Sequence, residues 1–197
     1  DQFRTRLVAP MQLRVQRAPV EPRRALDGDQ PLPEQAGVDR AEGRHVAPGI
    51  AAEAGPVVAR RGHEVHFIAY APPFRYSRFN ENLYFHEVEV SSYPLFKYPS
   101  YTLPLAAKMA EVSRQFGLDI LHVHYAVPHA TAAILARTML PPERRPRVVT
   151  TLHGTDTTLL GRDPDYGPAI HHALTCSDAV TAVSACLLEE TRRVLGY

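Results

Sequence analysis

From residue 50 onward, apolar positions recur with two alternating periods. "EVHFIAY" (64–70) is a short apolar run preceded by "RRGH", and Gly62 there marks the stop of a preceding helix. "LYFHEVEV" (83–90) alternates with period two, the pattern of a half-buried strand. "LPLAAKMAEVSRQFG" (103–117) sets Leu105, Met109, Val112 and Phe116 at helical spacing and ends on glycine. "LDILHVH" (118–124) reads as a strand and "HATAAILARTML" (129–140) as a helix. "RVVTTLH" (147–153) and "AVTAVS" (179–184) are two further strands. A last helix presents Leu187, Leu188, Thr191, Val194 and Leu195 on one face. Strands alternating with helices predict βαβ units: a Rossmann-like, doubly wound, mostly parallel sheet with helices on both faces.

Residues 1–48 follow neither period. No aromatic residue lies between Phe3 and Phe67, and arginine and proline recur throughout. Such a stretch buries too little apolar surface to offset the entropy of ordering it, so we expect it to be irregular. "MQLRVQ" is the one alternation, with Met11, Leu13 and Val15 on one side. It is the one piece expected to pair with the sheet.

Composition narrows the functional classes. Twenty-two basic residues stand against 21 acidic ones in 197, so net charge gives no argument for nucleic acid or a membrane surface as partner. Cys176 and Cys186 lie in no CxxC or Cys/His pattern and read as two buried, reduced thiols. No apolar run approaches the length of a membrane span, and the N-terminal residues lack the apolar core of a secretory leader. A cytoplasmic location is the expectation.

Ligands of such sheets bind at the carboxyl ends of strands, and two predicted strand-end loops concentrate polar groups. In "HVHYAVPHA" (122–130), His122 and His124 point to one face of a strand and can bind zinc if His129, His153 or Asp156 supplies a third ligand. The spacing is loose for a metal site, and for His122 the satisfaction of backbone groups is the favoured reading. In "TTLHGTDTTLLGRDP" (150–164), Gly154 permits close backbone approach and Thr155 or Asp156 can cap the helix that follows. His153 at the strand tip can hydrogen-bond a sugar hydroxyl. Residue chemistry leaves a ligand site and an ordinary capped turn equally open here.

In order, "RRGHEVHFIAYAPPFR", "FHEVEVSSYPLFKYPSYTLPLAAKMAEV", "LDILHVHYAVPHA", "VVTTLHGTDTTLLGRDP" and "SDAVTAVS" resemble the N-terminal lobe of bacillithiol-pathway N-acetyl-α-D-glucosaminyl L-malate synthases. These are family 4 retaining glycosyltransferases of GT-B fold. The resemblance is nearly ungapped over residues 49–197, which makes that stretch the acceptor-side domain. It implies transfer of N-acetylglucosamine from UDP-GlcNAc to L-malate, the first step of bacillithiol biosynthesis, with no metal and no cofactor. It also implies a possible homodimer in the full-length relatives. By the same resemblance His153 is the catalytic residue, while Tyr125, Thr151 and Thr155 hold malate or the transferring sugar. His124, His129 and Asp156 are supports of the loops. A family 4 transferase with another acceptor, a zinc hydrolase using His122 and His124, and a binding module or inert fragment are the rival expectations.

The chain departs from the resemblance in two places. The family's Gly-Gly-Ser-Gly loop falls on His45, Val46, Ala47 and Pro48, where glycine's freedom is gone and Pro48 removes an N–H. The first strand falls on "QAGVDRAEGR" (35–44), which has no strand pattern, so the first strand reads as lost and the start as out of frame. Pro56 is expected to interrupt the helix after residue 49. With the second lobe also absent from this sequence, we expect a partial and inactive copy.

Overall fold

The computed structural model describes residues 6–8, 50–72, 82–91 and 97–196. Their elements run β1 (Arg6–Val8), α1 (Ile50–Arg60), β2 (Glu64–Ala69), β3 (Leu83–Glu87), α2 (Thr102–Phe116), β4 (Ile120–His124), α3 (Thr131–Thr138), β5 (Arg147–Leu152), α4 (Thr155–Thr158), α5 (Gly167–Thr175), β6 (Ala179–Ala182) and α6 (Ala185–Leu195). A kinked turn over Ala126–Ala130, with Val127 extended at φ −124° and ψ 133°, leads into α3. The six strands form one sheet in the order β3-β2-β1-β4-β5-β6, and every neighbouring pair is parallel. That is a Rossmann-like, doubly wound order, reversing direction between β1 and β4.

The predicted strands from residue 64 onward form where the sequence pattern placed them, each within a few residues. The expectation of a lost first strand is corrected. Arg6–Val8 occupies the central place, pairing Leu7 with Val65 of β2 and with Ile120 of β4. Three residues are too few to show a period of two, so the pattern could not reveal this strand. Its place is fixed by the strands on either side. The remaining expectations for residues 1–48, including pairing by "MQLRVQ" and the loop at positions 45–48, lie outside the described residues.

Two layers cover the sheet. Ile68, Leu121, Val123 and Val148 pack with Leu105, Met109 and Val112 of α2 and Ala132, Ala133 and Ala136 of α3. On the opposite face Val65 and Phe67 pack against Ala59 of α1. β2 is therefore buried on both faces, as a central parallel strand must be. A third cluster, Leu152, Ala126, Ile170, Leu174 and Leu187, closes the carboxyl end of β5 against α5 and α6.

Helix α1 continues through Pro56, which corrects the expected interruption. A proline inside a helix removes one hydrogen bond and costs about 3 kcal/mol. Packing supplies a compensating reason: Gly55 is buried on the ring of Phe67, and a Cβ built there would run into that ring. Phe67 is 1% exposed and has no room to withdraw. Gly55→Ala is therefore expected to destabilise by about 1–3 kcal/mol, read as a lowered Tm. An unchanged Tm would show that α1 can lift off β2 at no cost.

The cysteine expectation holds in part. Both thiols are free, but Cys176 is half-buried and Cys186 is exposed. Cys186 sits on α6 one residue before the buried Leu187, so helical geometry turns it outward.

Candidate functional site

Strands β4 and β5 lie side by side, with His122 in register with Val149 and His124 with Thr151. Alternation sends Leu121 and Val123 toward α2 and α3, and leaves His122 and His124 on the other face. Their rings stack 4.8 Å apart. His122 Nε2 is 2.8 Å from Thr151 Oγ1, and Thr151 Oγ1 is 2.7 Å from Thr181 Oγ1. His124 Nδ1 is 3.0 Å from His153 Nε2. A hydrogen-bonded layer thus spans β4, β5 and β6.

This corrects the reading of His122, whose ring bonds a side chain, Thr151, and not the backbone. Partners on neighbouring strands cannot be seen in a single strand's pattern. His122 Nε2 and His124 Nδ1, two of the nitrogens a zinc site could use, are engaged by Thr151 and His153. Among the described residues no group of three or more His, Cys, Asp or Glu side chains is gathered as metal ligands would be.

Beyond the strand ends the backbone turns sharply. Tyr125 N–H donates to Thr151 O (2.9 Å), adding one bond to the ladder. The residue then takes φ +73°, a region that costs a non-glycine residue about 1–3 kcal/mol. The turn sets the phenol ring 4.7 Å from the His153 ring. Asp156, 1% exposed, holds both loops: its carboxylate accepts from Ala126 N (2.9 Å) and Gly154 N (3.0 Å), and at 3.4 Å from His153 N. The expected cap is thus inverted. Asp156 binds the N–H groups that precede its own four-residue helix, and no side chain caps α4.

Burial governs the electrostatics. Desolvation lowers the pKa of His122, His124, His129 and His153. For His124, desolvation followed by the charges of His122, His153 and His129 brings it to about 3. His129 falls to about 4 through desolvation, partly offset by a hydrogen bond to the His124 backbone. Desolvation lowers His153 while the Asp156 carboxylate pulls it back up. All four rings are therefore neutral at pH 7. A neutral imidazole offers one donor and one acceptor, the pairing that a hydroxyl group needs.

The structure thus brings His153, Tyr125, Thr151, His124 and Asp156 into one connected layer. Thr155 is exposed on the first residue of α4. His129 is 4% exposed in the turn before α3 and lies edge-on to Tyr101 at 6.3 Å. Sequence reasoning missed Tyr101, immediately before α2, and Thr181 on β6. An aromatic residue directly preceding a predicted helix was the available signal for the first. Thr181 offered none, because its contact to Thr151 is made only when β5 and β6 pair.

The ring of Tyr125 and its strained backbone can be separated by substitution. Tyr125→Gly and Tyr125→Ala remove the same contact, but only glycine adopts positive φ without penalty. The glycine variant is expected to be more stable than the alanine variant by roughly 1–2 kcal/mol, measured as urea midpoints. Equal midpoints would mean that the turn relaxes without the ring.

An open parallel sheet with a polar layer of imidazoles, hydroxyls and one carboxylate beside its reversal point defines a Rossmann-like domain with a ligand-binding strand end. Residues 52–197 match the family model described as Glycosyltransferase Family 4, and the chain belongs to that family. Over 146 residues it is 51% identical to the N-acetyl-alpha-D-glucosaminyl L-malate synthase of Bacillus anthracis. That alignment covers 74% of this chain and 38% of the relative, so the chain spans well under half of that protein's length.

Proposed function

We propose that residues 49–197 are the acceptor-side lobe, GT-B in type, of a transferase that moves N-acetylglucosamine from UDP-GlcNAc to the hydroxyl of L-malate. Retention of anomeric configuration, a place at the first step of bacillithiol biosynthesis and a cytoplasmic setting belong to the same reading. Among the described residues no helix is long and apolar enough to cross a membrane. The observation that carries the proposal is the 51% identity over 146 residues to a synthase named for malate, and the family match over 52–197 contains the whole layer from His122 to Asp156.

The geometry suits an acceptor hydroxyl. His153, held by His124 and beside the Tyr125 ring, is neutral and can accept a hydrogen bond from an alcohol or donate one to a sugar oxygen. Tyr125 keeps its phenol proton, because desolvation and the nearby Asp156 charge raise its pKa. It remains a donor. The protein's part is positioning and hydrogen bonding around a developing positive sugar. Thr151, bonded to His122 and Thr181, fixes the floor of the site and Thr155 stands at its rim.

Calorimetric titration of the chain with L-malate tests the reading. Saturable binding is expected, weakened roughly 2- to 10-fold by Tyr125→Phe, the loss of one neutral hydrogen bond. Succinate, which lacks the hydroxyl, should bind more weakly than malate. Absence of saturable malate binding would sink the proposal, and tighter binding of another hydroxy acid would reassign the acceptor. Incubation with UDP-GlcNAc and L-malate is expected to release no UDP, since His45–Pro48 replace a glycine loop that can turn its N–H groups toward a pyrophosphate.

A further inference from the structure

At the carboxyl end of the sheet, on the side of α2 and α3, two polar atoms are buried without a hydrogen-bond partner: Tyr101 Oη and His129 Nδ1. Buried polar groups are nearly always paired, so two on adjoining side chains require a cause. They come from different elements. Tyr101 immediately precedes α2, and His129 lies in the turn before α3. Their rings meet edge-on at 6.3 Å, and Tyr70, following β2, meets Tyr101 edge-on at 6.1 Å.

The two atoms are complementary in chemistry. His129 bonds the His124 backbone. A carbonyl there accepts, so the ring nitrogen facing it carries the hydrogen and the unpaired Nδ1 is a bare acceptor. Burial with no compensating charge keeps that ring neutral. Burial likewise holds the Tyr101 proton, with a pKa raised to about 12 by desolvation and then by Tyr70, so Oη is a donor. A carboxylate or phosphate has no hydrogen for Nδ1, and an ammonium has no lone pair for the phenol. A hydroxyl satisfies both.

The geometry points to Tyr101 and His129 as a hydroxyl-binding pair that extends the site from β4 toward β2, with Tyr101 positioning that hydroxyl. The hydroxyl belongs either to the small-molecule ligand or to one bound water. Only the identity of that ligand rests on the transferase reading above.

The test uses the full chain and its Tyr101→Phe variant. Each is titrated with L-malate and, separately, with N-acetylglucosamine, while the 15N shift of His129 Nδ1 and long-lived bound water are followed by NMR. If the hydroxyl is the ligand's, adding one of the two ligands moves the His129 shift in the unmodified chain. Tyr101→Phe then weakens that ligand roughly 2- to 10-fold. If it is water, both affinities stay unchanged, and Tyr101→Phe abolishes the long-lived water signal and moves the His129 shift. A His129 shift that responds neither to ligand nor to Tyr101→Phe, with unaltered affinities, overturns the proposal. If the variant fails to fold, the unmodified chain still decides: a His129 shift that moves with ligand or a long-lived bound water supports the pair, and neither overturns it. Should neither ligand bind while Tyr101→Phe still moves the His129 shift, the transferase reading fails and the pair stands.

Discussion

Asp156→Ala is expected to cost about 3–5 kcal/mol of folding stability, since two well-formed hydrogen bonds to a buried charge are lost and their donors stay buried. The donors are Ala126 N at 2.9 Å and Gly154 N at 3.0 Å, with His153 N farther off at 3.4 Å. They belong to two different loops, so the carboxylate is the tie between the chain leaving β4 and the chain leaving β5. Water cannot readily replace it where Asp156 is 1% exposed. Against a total of about 5–15 kcal/mol for a domain, such a loss is severe. Asp156→Asn should fall between, because one oxygen is kept while the amide turns a donor toward one of the N–H groups. Urea midpoints and amide exchange at Ala126 and Gly154 are the measurements. An alanine variant within about 1 kcal/mol of the parent would show that the loops are held by something else.

Acidification is expected to unfold the chain well above the pH where carboxylates titrate. The sign follows from the imidazoles. Desolvation lowers His129 to about 4 and His124, with added repulsion from neighbouring imidazoles, to about 3. In the unfolded chain both titrate near 6.5. Below that value the unfolded state binds more protons, so stability falls as pH falls. It is complete above about pH 6.5 and is lost progressively toward pH 4 and then 3. At pH 5 the unfolded chain has gained protons over about 1.5 pH units, which removes roughly 2 kcal/mol for each of the two rings. His122 and His153 shift in the same direction and steepen the slope. Urea midpoints between pH 7.5 and 4.5 measure the effect, and His129→Asn should flatten the slope whatever it does to absolute stability. A flat profile down to pH 5 would mean that the imidazole layer hydrates before it unfolds.

Much of this protein is determined by its sequence alone. The apolar run "EVHFIAY", the alternation in "LYFHEVEV" and the helical spacing of Leu105, Met109 and Val112 specify these elements, because burial is a local demand that repeats along each element. The polar loops after β4 and β5 were legible for the same reason: they interrupt apolar runs at strand ends. The motifs in those loops also carried the resemblance to family 4.

Tertiary structure decided the rest. Arg6–Val8 is a central strand only because β2 and β4 flank it, and three residues carry no period of their own. Helix α1 passes through Pro56 while Gly55 seats it against Phe67, a contact between residues that local propensity does not couple. His122 belongs to the site through Thr151, which lies on the neighbouring strand, and Asp156 binds backward across two loops. Tyr101 meets His129 only after α2 has crossed the sheet. Each of these contacts joins segments distant in sequence, and a pattern read along one segment cannot report which other segment will lie beside it.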